Sequence, residues 1–208
     1  MRGFFSPDNP VMAVITKLSL TVWLNILWIV FSLPLFTIGA STTALFTVTL
    51  KMAGDQEGYV TDQFISAFRK NFRFSTKVWG ILAGGIVILA ADGYILYHLK
   101  YTSVFWTLIT AVYLAALIVF AIVLMYIFPL MAYFENTVSA MLRNSLMVGV
   151  RYLFCTILMA GIYFAMLVVI VRFFTPAVLF GEGLCAYLCS RLLRGVFTRL
   201  SGSEEEKP

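Results

Sequence analysis

Three ionisable side chains stand inside long apolar runs of the sequence: Asp92, Arg172 and Glu182. An ionised group in hydrocarbon is costly, so such residues are functional candidates by default. Counting about 1.5 Å per residue from Lys77, Asp92 lies roughly 22 Å along its run, and Arg172 comes near the far edge of another. A pairing of Asp92 or Glu182 with Arg172 would neutralise part of this charge. That structural reading leads, ahead of plain exposure at the membrane interface and of a ligand or proton site.

Other chemistry is sparsely provided. His98 is the single histidine, so no His-rich metal cluster can be assembled, and a position at the membrane interface accounts for it. Gly39-Ala40-Ser41 has the Gly-x-Ser spacing of a serine nucleophile, but Thr42 follows where a second glycine would stand. Cys155, Cys185 and Cys189 are an odd set inside apolar runs. Cys185 and Cys189 share a helix face, a spacing read as packing before any metal or redox role. There is no P-loop, no glycine-rich phosphate cradle and no Cys-x-x-Cys. The chain is therefore read as non-enzymatic, with no metal and no cofactor.

The elements that carry these residues follow from composition. Of 208 residues, 61% are hydrophobic and 12% charged, and the mean hydropathy is +0.93. So much apolar surface cannot hide in a soluble core of this size, which makes the chain an integral membrane protein. Backbone polar groups in lipid must be paired internally, and long apolar runs rather than ten-residue alternation select helices over a barrel. No small-residue cleavage pattern follows a short apolar core near the amino terminus, so the first span is expected to be retained.

The bend at residues 28–51 sets the threading. Pro34 has no N–H and clashes with the preceding turn, so the helix entering from residue 11 should end near Leu33. Val11 to Leu50 is forty residues, whereas roughly 20 cross a bilayer, so a hairpin of two short spans is expected. The run Gly39, Ala40, Ser41, Thr42, Thr43 lets another backbone approach closely and leaves hydroxyls to bond across, or back to their own helix. The second span should be central and shielded from lipid.

In chain order, Asn9 is a candidate N-cap and Pro10 the first helical residue. After a break at residues 54–58, Thr61 to Lys77 is amphipathic, with Phe64, Ile65, Phe68 and Phe72 opposite Arg69, Arg73 and Lys77. A helix of this kind is expected to lie along the membrane surface. Its basic face, including Lys70, is read first as a solvated face and second as a surface for a partner or anionic lipid. Spans three and four follow at about 78–98 and 104–131, joined by the short link Lys100 to Ser103. A second amphipathic segment, 136–150, sets Val138, Met141, Leu142 and Ser145 opposite Arg143. Span five is about 151–172 and span six ends near Arg194. The fold is thus an all-α polytopic bundle of about six spans, or five if residues 11–50 make one bent crossing. Residues 1–200 form one domain and 201–208 a disordered acidic tail.

This threading puts thirteen of fifteen Lys and Arg residues on one side, leaving Lys100 and Arg172 opposite. The asymmetry places that side, and the carboxy terminus, in the cytoplasm. The net charge of +5 follows from topology and does not indicate nucleic acid.

SLPLFTIGASTTALF at 32–46, EGY at 57–59, FRKNF at 68–72 and FEN at 134–136 resemble the YesL family of bacterial membrane proteins over essentially the whole chain. The family is typical of Gram-positive bacteria, and its members often sit beside genes for sugar ABC importers. What the resemblance implies is a bacterial cell-membrane protein with an accessory role in carbohydrate uptake, exercised by contacting sugar ABC importer subunits. The alternative reading is a small substrate-binding or translocating component with a polar site near Asp92, Arg172 and Glu182.

Overall fold

The computed structural model describes residues 10–56, 58–98, 104–173 and 177–205. All regular structure among them is helical: α1 (Pro10–Ser32), a 3-10 turn (Leu35–Thr37), α2 (Ile38–Ala53), α3 (Val60–His98), α4 (Val104–Tyr133), α5 (Val138–Arg151), α6 (Leu153–Val168) with a π-helical extension (Val169–Phe173), and α7 (Val178–Glu205). Asn9, the 100–103 link and Pro176 lie outside the described residues.

Pro34 ends α1 as its chemistry requires. The freed carbonyls of the last turn are recovered by Thr37, whose hydroxyl lies 2.6 Å from the oxygens of both Phe31 and Pro34, while its N–H donates to Pro34 at 2.8 Å. The chain then doubles back. Trp28 Nε1 donates to Thr42 Oγ1 at 3.1 Å near the bend, and Lys17 pairs with Asp55 at the open end. These contacts make α1 and α2 an antiparallel hairpin.

α2 is the central helix. In its span-length window 72% of residues are buried, against at most 17% in the other four candidate spans. Its hydroxyls are satisfied along the helix: Ser41, Thr42 and Thr43 donate to the carbonyls of Thr37, Ile38 and Gly39 at 3.1, 2.7 and 2.9 Å. At Gly39 the backbone of α3 comes so close that an added Cβ would stand 2.6 Å from Trp79 Cβ and 2.8 Å from Ser75 O. Ser75 Oγ then donates to Thr43 Oγ1 at 3.1 Å, and Trp79 Nε1 to Leu35 O at 2.8 Å. Small residues and polar bonds thus replace the hydrophobic driving force that lipid withholds.

Two elements differ from the expectation. The amphipathic stretch 61–77 does not lie apart on a surface; it is the first half of α3, an unbroken helix of 39 residues, about 58 Å long. No proline interrupts 60–98, and the apolar face finds α1 instead of lipid. Phe64 is fully buried, and the Phe31 ring meets Phe64 at 5.5 Å and Phe68 at 4.9 Å. The end of the chain differs too, because α7 stays helical through Glu205. Ser201 Oγ donates back to Phe197 O at 3.1 Å, so the expected tail at 201–208 is helical over 201–205.

By length and composition five helices among the described residues can cross a membrane: Val14–Ser32, Leu35–Ala53, Val60–His98, Phe105–Tyr133 and Leu153–Arg172. The hairpin supplies two of these span-length helices. The expected sixth, on α7, falls short of the same apolarity, since Glu182, Arg191 and Arg194 all lie in it. Its packed face explains why it need not be so apolar. Cys185, Ala186, Cys189, Ser190 and Leu193 are buried, and Thr49 and Ser190 share a hydrogen bond of 2.8 Å between α2 and α7.

The close approach at Gly39 generates a prediction. Gly39→Leu, measured by thermal unfolding in detergent, should destabilise the bundle by about 1–3 kcal/mol through overpacking. Gly84→Leu, at a helix position with open space around it, should leave the melting temperature near that of the unmodified protein. Equal effects would show that α2 and α3 do not meet at Gly39.

Candidate functional site

The ionisable residues of the spans do not converge. Asp92 is exposed on α3 and Arg172 is exposed on the π-helical end of α6. Glu182, half-buried on α7, accepts a hydrogen bond of 3.4 Å from Tyr163 Oη. Among the described residues the ion pairs are Lys17–Asp55 and Lys70–Glu135, so neither Asp92 nor Glu182 pairs with Arg172 as anticipated. The reason is topological: α6 delivers Arg172 at its far end, past Tyr163, whereas Glu182 sits one turn into α7 beside Gly181, itself against Met166.

The strongest polar junction inside the bundle was not anticipated. Asn25, fully buried on α1, donates from Nδ2 to Val178 O at 3.1 Å and accepts at Oδ1 from Gly183 N at 2.8 Å. It clasps the first two turns of α7 to α1. Gly183 makes the clasp possible, because a Cβ there would meet Thr21 O at 2.4 Å. A lone asparagine in an apolar run is the signal that could have found it. A second polar junction joins α4, α5 and α6: Thr156 Oγ1 lies 2.9 Å from Tyr126 Oη and 2.7 Å from Gly149 O. Both junctions close on protein groups and serve packing.

What remains open lies at one end of the bundle. There α7 meets the turn after α2, with Arg194 Nη1 donating to Ala53 O at 2.7 Å. It also meets the end of α4, where the Tyr133 and Phe197 rings are 5.1 Å apart. Lys70 of α3 pairs with Glu135 at 2.6 Å. The segments around 54, 70, 134 and 197 are thereby gathered into one basic face, as a threading with one charged side requires. Asp55 caps this end in the left-handed region (φ 54°), a conformation an aspartate tolerates after a helix.

Of the six residues assigned to a partner or lipid surface, Arg69, Lys70, Arg73 and Arg143 are exposed. Phe64 is not available, because it is spent on Phe31, and Phe68 is half-buried against the same ring. Pro34, Gly39, Ser41, Thr42 and Thr43 occupy the bend and the α2 interface described above. On α5, capped by Thr137 Oγ1 accepting from Ala140 N, Met141 and Ser145 face the core while Arg143 faces out. A polar groove of about 500 Å³ runs between α2, α3 and the end of α4, lined by Lys51, Asp62, Gln63, Lys70, Asn71 and Glu135 among others.

Two carboxylates of this end are held below their ordinary range by lysines. The Lys17 hydrogen bond, then its charge, lowers Asp55 from 3.8, and the Lys70 hydrogen bond and charge lower Glu135 from 4.5.

Known proteins bear on the assignment. Residues 21–93, most of the hairpin and of α3, match the family described as "Protein of unknown function, DUF624". The chain is 25% identical to Bacillus subtilis (strain 168) "Uncharacterized protein YesL" over 189 residues, 89% of this chain and 88% of that one. It is 28% identical to "Uncharacterized protein YesV" of the same organism over 133 residues, 61% of this chain and 62% of that one. No solved structure matches significantly.

The site yields two predictions. Asn25→Leu removes both side-chain bonds between α1 and α7 and should lower stability by about 1–2 kcal/mol in detergent unfolding. An unaltered midpoint would remove Asn25 from the account of α7. The second concerns pH. A carboxylate whose folded-state pKa is depressed contributes stability above its unfolded value, lost as pH falls through the lower folded value. The acid loss of melting temperature below the ordinary range of 3.8 to 4.5 should therefore be shallower in Lys17→Met combined with Lys70→Met than in the unmodified protein. Parallel acid limbs would refute the contribution of these pairs.

Proposed function

For a chain assigned by these similarities to the YesL family, we propose a non-catalytic accessory or regulatory role in carbohydrate uptake, exercised by contacting a sugar ABC importer at the basic end of the bundle. One observation supports the contact: Arg69, Arg73 and Lys77 recur along one face of α3, exposed and without an ion pair among the described residues. Their spacing of four keeps them neighbours on the helix. Among the described residues Lys70 beside them is engaged with Glu135, and so exposed a pair is worth little against a better partner. Arg143 adds an exposed cation on α5. A partner carrying carboxylates fits this surface.

The carbohydrate part of the reading rests on the family resemblance, and the side of the membrane on the distribution of Lys and Arg. With the basic end in the cytoplasm of a bacterial cell, the carboxy terminus is cytoplasmic and the docking face meets the cytoplasmic part of an importer. The alternative, a substrate site formed by Asp92, Arg172 and Glu182, gains no support from residues that lie apart.

Affinity purification in mild detergent tests the proposal. Importer subunits should co-elute in stoichiometric amounts. Reversing the charges of Arg69, Lys70 and Arg73 to Glu should cut their recovery severalfold while leaving the melting temperature within a few degrees. Undiminished recovery would take the docking face away, and a protein that elutes alone while binding a sugar would favour the alternative.

A further inference from the structure

A second groove, of about 790 Å³, lies between the end of α4, the outer side of α5 and the last turns of α7. Its lining is mostly apolar, with Phe134, Met147, Val148 and Leu200 on its walls. The polar lining residues are Arg151, Asn136 and Asn144, one cation and two carboxamides, with no carboxylate among the described lining. The nearest carboxylate in sequence, Glu135, is held by Lys70 at the other groove.

The position of Arg151 says what this chemistry is for. It is the last residue of the amphipathic α5, and α6 begins two residues later as a membrane-length apolar helix. Leu153, Phe154 and Ile157 are 53%, 78% and 68% exposed, so hydrocarbon-facing surface begins immediately beyond the guanidinium. Arg151 thus lines an apolar groove at the level where the exposed apolar surface of α6 begins, which is headgroup depth. We infer that this groove binds an anionic phospholipid of the bilayer, its phosphate on Arg151 and its first acyl carbons against Met147 and Val148, one turn before it on α5. A basic pocket beside a span is the usual setting for headgroup recognition, and a guanidinium meets phosphate oxygens two at a time.

The full chain, reconstituted in nanodiscs of phosphatidylcholine with or without phosphatidylglycerol, tests this by thermal unfolding and by native mass spectrometry of retained lipid. Phosphatidylglycerol should raise the melting temperature and remain as an adduct that phosphatidylcholine does not form. Arg151→Gln should weaken that retention about fivefold, the contribution of one basic residue near an anionic surface, with the phosphatidylcholine melting temperature unchanged. Arg151→Lys should keep part of it, Met147→Trp should block the groove, and Arg199→Gln should have no effect. Retention of phosphatidylglycerol by both Arg151→Gln and Met147→Trp would overturn the assignment. So would equal retention of the two lipids, or an equal thermal shift from soluble glycerol phosphate, which would give the site to a free phosphate.

Discussion

The bundle depends on one constraint: in a medium without water, the hydroxyls and small residues of α2 must find every partner within the protein. Ser41, Thr42, Thr43, Thr47 and Thr49 each donate to a carbonyl one turn back, at 2.7–3.1 Å. Having spent their protons, they can accept, and Trp28 and Ser75 donate to Thr42 and Thr43. α2 is therefore a helix whose polar groups read inward, and the surrounding helices close on it. Gly39 is the point of nearest approach, since the room a side chain would need is occupied by α3. A lipid-facing α2 would leave the outward acceptors without donors, a cost that hydrocarbon does not relieve.

The rest of the architecture follows from that shielding. α1 folds back along α2 and uses Phe31 to cover Phe64 and Phe68, which frees α3 to run on as a single helix. α7 packs a face of small residues on the hairpin, secured by Asn25 at its start and by Arg194 on Ala53 O further along. The outer half of α3, most of α4 and α6 are left with large exposed apolar side chains such as Val87, Val112 and Ile157. They are the surface that lipid covers.

How much of this was legible in the sequence depends on whether the signal was local. Pro34, the small-residue run and the periodicity of 138–148 act through the chain's own backbone and neighbours, and each produced the element its chemistry dictates. The continuity of α3 was not legible, because an amphipathic stretch ahead of an apolar one reads alike whether its apolar face meets lipid or Phe31. Only the tertiary contact decides. The same holds for charge. Asp92, Arg172 and Glu182 stood out by contrast with their surroundings, yet a sequence does not reveal which charges the fold will bring together. Lys17 with Asp55 and Lys70 with Glu135 lie in less conspicuous places, and their pairings depend on the hairpin and on the crossing of α3 with the end of α4.

The division between satisfied and unsatisfied polar groups also bears on where this protein meets other molecules. Within the spans, Asn25, Thr49, Thr156, Tyr126 and Ser190 all close on protein partners, so they contribute specificity of packing and leave little for a ligand. A translocation path needs the opposite, several polar groups turned toward a shared cavity at depth. The two grooves open instead where the α2 turn, the start of α3, the end of α4, α5 and the end of α7 come together. Along the first half of α3 the exposed cations Arg69, Arg73 and Lys77, without an ion pair among the described residues, follow on from Lys70 at the polar groove. Recognition at such an end, as the proposed docking role requires, would be a matter of charge and shape presented by a rigid bundle.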